Sequence, residues 1–414
     1  MVHQMMNSSI SSAPSASSKI SSMRAPSMAL AILGLLVGCA GTPRPAPPVV
    51  TAGARPAVAP TETAAASTPT TAPATLRERS RWIASEWKDL PGWGADHASE
   101  FWPALQRSCA RPAPGWSLIC AQAALADLAD DTSITLWLME HLQPWRVESL
   151  GGETQGLLTG YYEPQLDAAR QPQGTYRVPL HAPPADLARH RPWYSRQQID
   201  SDPALQSQLR ALAYVEDPVD ALVMQIQGSG RLRLQDGQGG ARWVRLAFAG
   251  HNDLPYQSVG KQLQERGELR AGESGWNGVR EWLRRNPGRE HELLWSNPRY
   301  VFFREEPIAE PELGPRGAQG VFLTPGRSIA VDPGSIPYGT PVWLASTEPL
   351  SSAPLQRLVM AQDTGSAITG AVRADFFWGS GEQAALQAGR TKQALRAWVL
   401  WPRDAQAAFP GAPS

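Results

Sequence analysis

The chain has 414 residues, with 38 Lys and Arg against 38 Asp and Glu, and charged side chains occupy 18% of positions. A formal net charge of zero excludes broad electrostatic capture of nucleic acid. Its 38 prolines make up roughly 9% of the chain, against about 5% in ordinary proteins, and the excess collects near the N-terminus.

Residues 29–37, Ala-Leu-Ala-Ile-Leu-Gly-Leu-Leu-Val, form an apolar run preceded by Arg24 and followed by Gly38-Cys39. The run is far shorter than the roughly 20 residues that cross a bilayer. A basic lead before a short apolar stretch reads as a signal peptide, with Met23 and Met28 as alternative starts. Leu36-Val37-Gly38-Cys39 matches the bacterial lipobox, so residues 1–39 are expected to be a lipoprotein leader, with Cys39 the lipidation point. An aspartate at position 40 would resemble an inner-membrane retention signal; Ala40 favours the outer membrane, facing the periplasm. Residues 40–75 are Pro, Ala, Thr and Ser with almost no large apolar side chain, which predicts a disordered tether reaching toward a distant target such as the cell wall. The remaining 339 residues have room for about two or three domains.

Residues 76–145 carry helical spacing, as in Trp82-Ile83-Trp87 and Ile134-Leu136-Trp137-Leu138, with breaks at Pro91, Pro112 and Pro114; three or four helices are expected in a helical N-terminal part over 76–155. With Cys39 taken by lipid, Cys109 and Cys120 remain. Export favours a disulfide between them, and two free buried thiols are the alternative. From residue 156 the texture turns β-rich, and strands of a barrel-like region are predicted at 157–162, 222–226 and 242–248. Helices are predicted over Ser258–Arg266 and Ser274–Arg285, the second capped by Ser274. Further strands are predicted at 300–303, 329–332, 341–344, 357–362 and 396–400. The divisions are 156–305 for an inserted β-domain with its flanking strands, 306–403 for a second β-region, and 404–414 for a tail.

Three aspartates stand beside apolar stretches in the last hundred residues: Asp332 before Pro333, Asp363 before Thr364-Gly365, and Asp375 before Phe376-Phe377-Trp378. An apolar setting disfavours the ionised carboxylate, and a nearby Asp363 would push the Asp375 pKa up further. A protonated carboxyl is what glycoside cleavage requires. The bland alternative is that all three cap turns. Sixteen tryptophans either fill cores or stack on the apolar faces of sugars. Tyr161, Tyr162 and Trp378 are candidate stacking residues, with one tyrosine of the pair facing away. Gln225, Gln227, Ser229 and Arg231 alternate, as a groove wall or a solvent face would. His251 lacks partners at metal-ligand spacing.

The segment Asp332-Pro333, Ile336-Pro337-Tyr338-Gly339-Thr340, Asp363-Thr364-Gly365 and Asp375 resembles the three-aspartate domain, a double-psi β-barrel. Upstream, Thr159-Gly160-Tyr161-Tyr162-Glu163-Pro164, Gln225 to Arg231, Ala249-Gly250-His251-Asn252 and Asn297 to Phe303 resemble, in order, the membrane-bound lytic murein transglycosylase A family. The resemblance covers about residues 156–402 and implies a mainly β fold with an N-terminal helical portion, its barrel interrupted by a second, smaller β-barrel-like domain with the substrate groove between them. It implies that Asp375 is the single general acid, with Asp363 and Asp332 in support. Implied partners are peptidoglycan glycan strands, the outer membrane through lipidated Cys39, and proteins of cell-wall synthesis or remodelling; no metal, nucleotide or organic cofactor is suggested. Ser366 stands where the family commonly has glycine. Gly272-Glu273-Ser274-Gly275 offers Glu273 as a rival acid, but no Gly-Leu-Met-Gln segment follows it. A glycan-binding module without activity, a structural lipoprotein and a plain hydrolase are the competing readings.

Overall fold

The computed structural model describes residues 73–235 and 240–403; the leader, Cys39, nearly all of the 40–75 tether and the 404–414 tail lie outside the described residues. Strands β1 (Ala74–Leu76) and β2 (Arg81–Ala84) pair as a hairpin. Three helices follow, α1 (Ala98–Ser108), α2 (Ser117–Leu125) and α3 (Asp131–His141). A disulfide between Cys109, which caps α1, and Cys120 within α2 ties the first two together. Asp130 starts α3 by accepting the Ser133 amide, which satisfies an otherwise orphaned donor.

Trp82 lies on β2, a strand and not the expected helix. Its determining contact is distant: β2 pairs with β3 (Leu142–Glu148), Trp82 opposite Val147, and the indole packs 5.4 Å from Trp401. That long-range pairing overrides the local helical spacing.

The chain then runs through β4 (Gly156–Glu163), β5 (Gln165–Ala168), β6 (Val178–His181), α4 (Arg196–Ser201), α5 (Pro203–Gln208) and β7 (Ala211–Val215). Next come α6 (Pro218–Gln227), β8 (Ser229–Gln235), β9 (Ala241–His251), α7 (Val259–Glu265), α8 (Trp276–Arg285), α9 (Glu290–Trp295) and β10 (Val301–Glu306). The last part holds β11 (Ser328–Val331), β12 (Thr340–Thr347), β13 (Pro354–Asp363), β14 (Arg373–Ser380), α10 (Glu382–Arg390) and β15 (Lys392–Pro402).

Residues 222–226, expected as a strand, belong to α6. The start and stop signals decide it: Asp217 accepts the Val219 amide, Pro218 occupies the first turn, and Gly228 closes the helix at φ 82°. Because Val219 and Ala221 to Gln225 are all buried, the run shows no one-sided pattern from which a helix could be read. Ser274 is not the cap of α8, since Gly275 holds that position without a side-chain bond.

Strands β15, β12, β13, β11, β14 and β4 form a ring that closes where Lys392–Leu395 of β15 pair with β4, giving a six-stranded double-psi barrel. The β11–β13 and β14–β4 contacts are parallel and the other four antiparallel. The barrel core is continuous with the apolar faces of α1 to α3, and tryptophans 82, 102, 116, 343, 398 and 401 are buried in it. The interrupting segment places β6 and β7 against a four-stranded sheet, β10-β9-β8-β5, around Leu180, Ala213, Leu232, Leu246 and Phe303. Helices α7 to α9 add a separate core around Leu263, Trp282 and Leu293. Among the described residues no helix is long and apolar enough to cross a membrane.

The chain leaves the barrel at Glu163 and returns past Leu313, and one buried network holds both crossings. Glu163 is fully buried and accepts from Arg231 Nε at 2.7 Å and from Arg245 Nε at 2.6 Å. Both guanidiniums also donate to the Leu313 carbonyl, and Arg231 donates to the Pro311 carbonyl. Removing the carboxylate would strand two buried cations, so Glu163→Gln is expected to cost about 3–5 kcal/mol in urea unfolding. Loss of less than about 1 kcal/mol would show that the network is not what holds the junction.

Candidate active site

Strand register assembles the site. In β11, Ala330 is the pairing partner of Asp363 on one side and of Asp375 on the other. Two strand spacings, roughly 10 Å, therefore separate the two aspartate backbones, with only a methyl group between them. On the far side of β14, Asp375 is opposite Thr159 and Phe377 is opposite Tyr161. Residues two apart on a strand share a face, so Thr159, Tyr161, Arg373, Asp375 and Phe377 project together. Leu158, Ala374 and Phe376 point into the barrel core.

Thr159 Oγ1 donates to Asp375 Oδ1 at 2.5 Å and accepts from the Arg373 guanidinium at 2.9 Å. Asp375 keeps an opening to solvent, yet most of its surroundings are protein. Desolvation pushes its pKa up to about 6; the Thr159 hydrogen bond and the Arg373 charge pull the other way, and the negative Asp363 adds to the rise. The expected direction holds, as does the contribution of Asp363. Of the three neighbouring aromatics, only Phe377 shares the carboxyl's face.

Asp363 accepts from the Tyr161 hydroxyl at 3.0 Å and from the Ala318 amide at 3.0 Å. Burial raises its pKa despite these bonds. The Tyr161 hydroxyl is driven well above its ordinary range, first by burial and then by the charges of Asp363 and Asp375, so it stays a neutral donor. Its ring lies 5.1 Å from Phe377. Asp332 is buried and accepts from the Gly334 and Gly370 amides, with Arg79 3.5 Å away. It orders the turn after β11 and the end of the 364–370 loop, in keeping with the turn-capping alternative.

Other sequence candidates lie elsewhere. Arg231 is committed to Glu163 and two carbonyls, so it is a buried structural cation and not a free sugar ligand. Gln225 is buried and accepts from Arg196, and Ser229 is buried at the start of β8. Gln227 accepts from the Tyr162 amide, linking α6 to β4. The alternation expected of these four fails because the first two are helical. Trp378 faces the barrel, packed on Phe376 and donating to Thr391 Oγ1 at 2.9 Å. Gly160 makes that possible: a Cβ there would sit 2.6 Å from the indole nitrogen. Tyr162 projects from the opposite face of β4 to Tyr161. Glu273 is exposed and accepts from the Arg270 amide, and His251 bonds within its own turn to the Asp253 amide.

Two residues went unassigned at the sequence level, Thr159 and Arg373. Arg373 was legible, since i and i+2 share a strand face, whereas Thr159 depends on a pairing between segments 216 residues apart. In chemical terms the site offers one carboxyl held ready to donate a proton, beside a second carboxyl and a neutral phenol.

Comparison with known proteins gives a consistent result. The MltA specific insert domain matches residues 157–304 and the 3D domain matches residues 327–401. A membrane-bound lytic murein transglycosylase A of Vibrio cholerae is 33% identical over 259 residues, covering 60% of this chain and 67% of the relative. Among solved structures, MltA from Neisseria gonorrhoeae superposes with a TM-score of 0.70 at 29% identity, covering 83% of this chain and 99% of that one. The lytic transglycosylase LtgG of Burkholderia pseudomallei has a TM-score of 0.57 at 42% identity, covering 81% and 99%. Escherichia coli MltA with bound chitohexaose has a TM-score of 0.60 at 25% identity, covering 73% and 90%. With the ordered motifs, the interrupted barrel and the paired aspartates all in place, the chain belongs to the membrane-bound lytic murein transglycosylase A family.

Proposed function

We propose that the protein is a lytic transglycosylase that cleaves the β-1,4 bond between N-acetylmuramic acid and N-acetylglucosamine in peptidoglycan, with Asp375 as its one acid and base. The observation that carries this reading is the Asp375 carboxyl itself, desolvated, aimed by Thr159 and poised near pH 6. A carboxylic acid with that pKa is substantially protonated in mildly acidic solution and its conjugate base is still competent, which is the compromise general acid–base catalysis needs.

Asp375 gives its proton to the glycosidic oxygen as the bond from C1 to that oxygen breaks. Positive charge builds on C1 and its ring oxygen. The C6 hydroxyl oxygen of the same muramoyl residue bonds to C1, and its proton passes to the Asp375 carboxylate. The products are a free N-acetylglucosamine end and a 1,6-anhydromuramoyl end, and the acid is restored without water. One carboxyl thus does in sequence what a hydrolase divides between two. Asp363 sets the electrostatics of this exchange, and Asp332 fixes the loop beside it.

The proposed localisation rests on the N-terminal leader: Cys39 carries the lipid, and the protein faces the periplasm from the outer membrane. The name of the Vibrio relative, membrane-bound, supports this reading. Cys39→Ala is expected to move the protein from the membrane fraction to the soluble one; unchanged fractionation would contradict the anchor.

Mass spectrometry of muropeptides released from purified sacculi tests the reaction. The protein should yield anhydro-muropeptides and Asp375→Asn none. Reducing ends would mean hydrolysis, anhydro products from both would remove Asp375 as the acid, and sacculus binding without release would leave a binding module.

The pH dependence has a defined sign. The protonated acid is the active form, so kcat/KM is flat below about pH 6 and falls above it, roughly tenfold per unit. Thr159→Val removes a bond that favours the ionised form and moves this limb to higher pH. Asp363→Asn removes a negative neighbour and moves it lower. Rate profiles on sacculi read both shifts, and movement in the same direction would contradict the assignment.

A further inference from the structure

Helix α1 packs against β13, and each of its ends is fastened to the barrel by a different device. At its start Arg327 donates to Asp96, to the His97 carbonyl and to Glu100. At its end the fastening is uncharged. Ser108 Oγ accepts from Gln362 Nε2 at 2.7 Å and donates to Gln319 Oε1 at 3.1 Å. Gln319 Nε2 returns bonds to the Ser108 and Arg111 carbonyls, at 3.2 and 2.9 Å. Gln362 Nε2 also reaches the Ala104 carbonyl, and its Oε1 accepts from Ser328 Oγ at 2.5 Å. Ser108, Gln319, Ser328 and Gln362 are all buried.

Buried amides and hydroxyls cost desolvation unless their bonds are made, and here both ends of each glutamine amide are used. Arg327 already holds the helix. What the second network adds is position, because directional bonds fix one arrangement where an apolar contact would tolerate several. That position is felt beside the acid. Gln362 precedes Asp363 on β13 and faces the opposite way. The Gln319 amide donates to the Gln362 carbonyl at 2.9 Å, and the preceding amide, that of Ala318, donates to Asp363 Oδ1 at 3.0 Å. The turn that carries Ala318 is thus pinned to α1 through Gln319, and the strand that carries Asp363 is pinned to the same Ser108 hydroxyl through Gln362.

We propose that Gln319, Ser108 and Gln362 are positioning residues for the reaction: they seat the Ala318 amide on Asp363 and so fix the charge that stands beside Asp375. Their part in catalysis rests on the proposed role of Asp375; the seating rests on the bonds alone. The Ala318 bond favours the ionised form of Asp363, and the ionised form raises Asp375. Losing the seat lets Asp363 take up a proton more readily, which moves the rate limb to lower pH, as Asp363→Asn does. The other titratable groups around the two carboxyls are Arg373, Tyr161, Tyr338, Asp332 at the end of β11, Lys392 paired with Thr159, and Arg316 on the Ala318 turn. None of them is changed by the substitutions below.

Gln319→Ala in the full chain tests this, read by the rate profile on sacculi and by carbon-13 titration of the Asp375 carboxyl. Both are expected to move down by roughly 0.3–0.5 of a pH unit, which is about a two- to threefold loss of kcat/KM above the limb. In an Asp363→Asn background the same substitution should move neither. Ser108→Ala removes one hydroxyl and leaves the bonds from Gln319 to the two carbonyls. It should give a smaller shift of the same sign, and it carries the comparison if Gln319→Ala does not fold. A folded variant whose profile and titration both stay in place would overturn the proposal. So would an equal shift in the Asp363→Asn background, since the effect would then bypass Asp363. A titration that moves while the profile does not would remove Asp375 as the acid; the seating then survives as structure, and the positioning role falls with the proposed function.

Discussion

Strand β4 closes the barrel by pairing with β14 from Leu157 to Tyr161 on one edge and with β15 from Gly156 to Thr159 on the other, so its register is held from both sides. Thr159 is placed against Asp375, Gly160 leaves room for the Trp378–Thr391 pair, Tyr161 reaches Asp363, and Glu163 ends the strand in the ion network at the junction. A one-residue slip would turn Thr159 and Tyr161 into the core and bring Leu158 and Gly160 to the face of Asp375. The same pairing therefore closes the fold and builds the site.

Holding a carboxyl at a raised pKa opposes folding near neutrality. The folded protein holds the Asp375 proton up to about pH 6, against an ordinary value of 3.8, so this favourable contribution is complete below about pH 4 and is lost as pH rises through 6. At pH 7 the ionised carboxylate is disfavoured by up to about 3 kcal/mol relative to the unfolded chain. The barrel supports that cost through its tryptophan-rich core, and the Cys109–Cys120 disulfide adds a covalent constraint to the helices on its flank. Tyr161 and Asp363 share a hydrogen bond beside Asp375, and the Tyr161 hydroxyl there stays a neutral donor.

The aspartates and most strands were legible because each is a local signal. Asp375 and Asp363 are announced by carboxyls set beside apolar runs, and the helix expected over Ser258–Arg266 forms as α7, with Ser258 and Arg266 as its caps. What escaped depends on distance. Trp82 is a strand residue only because β3 lies beside it, and α6 is hidden because it is buried nearly all round. The spacing of Arg231 fits a groove wall or a solvent face, and only the folded chain brings Glu163 and Leu313 around it. Most tryptophans serve the core, so their number alone says little about glycan.

The central claim is that one desolvated carboxyl, Asp375, carries the proton. The direct measurement is a carbon-13 NMR titration of the aspartate carboxyl groups, with the Asp375 signal assigned by its loss in Asp375→Asn. An apparent pKa near 6 is predicted. A value near 3.8, ordinary for an aspartate, would contradict the claim, because the carboxyl would then be ionised wherever the enzyme works.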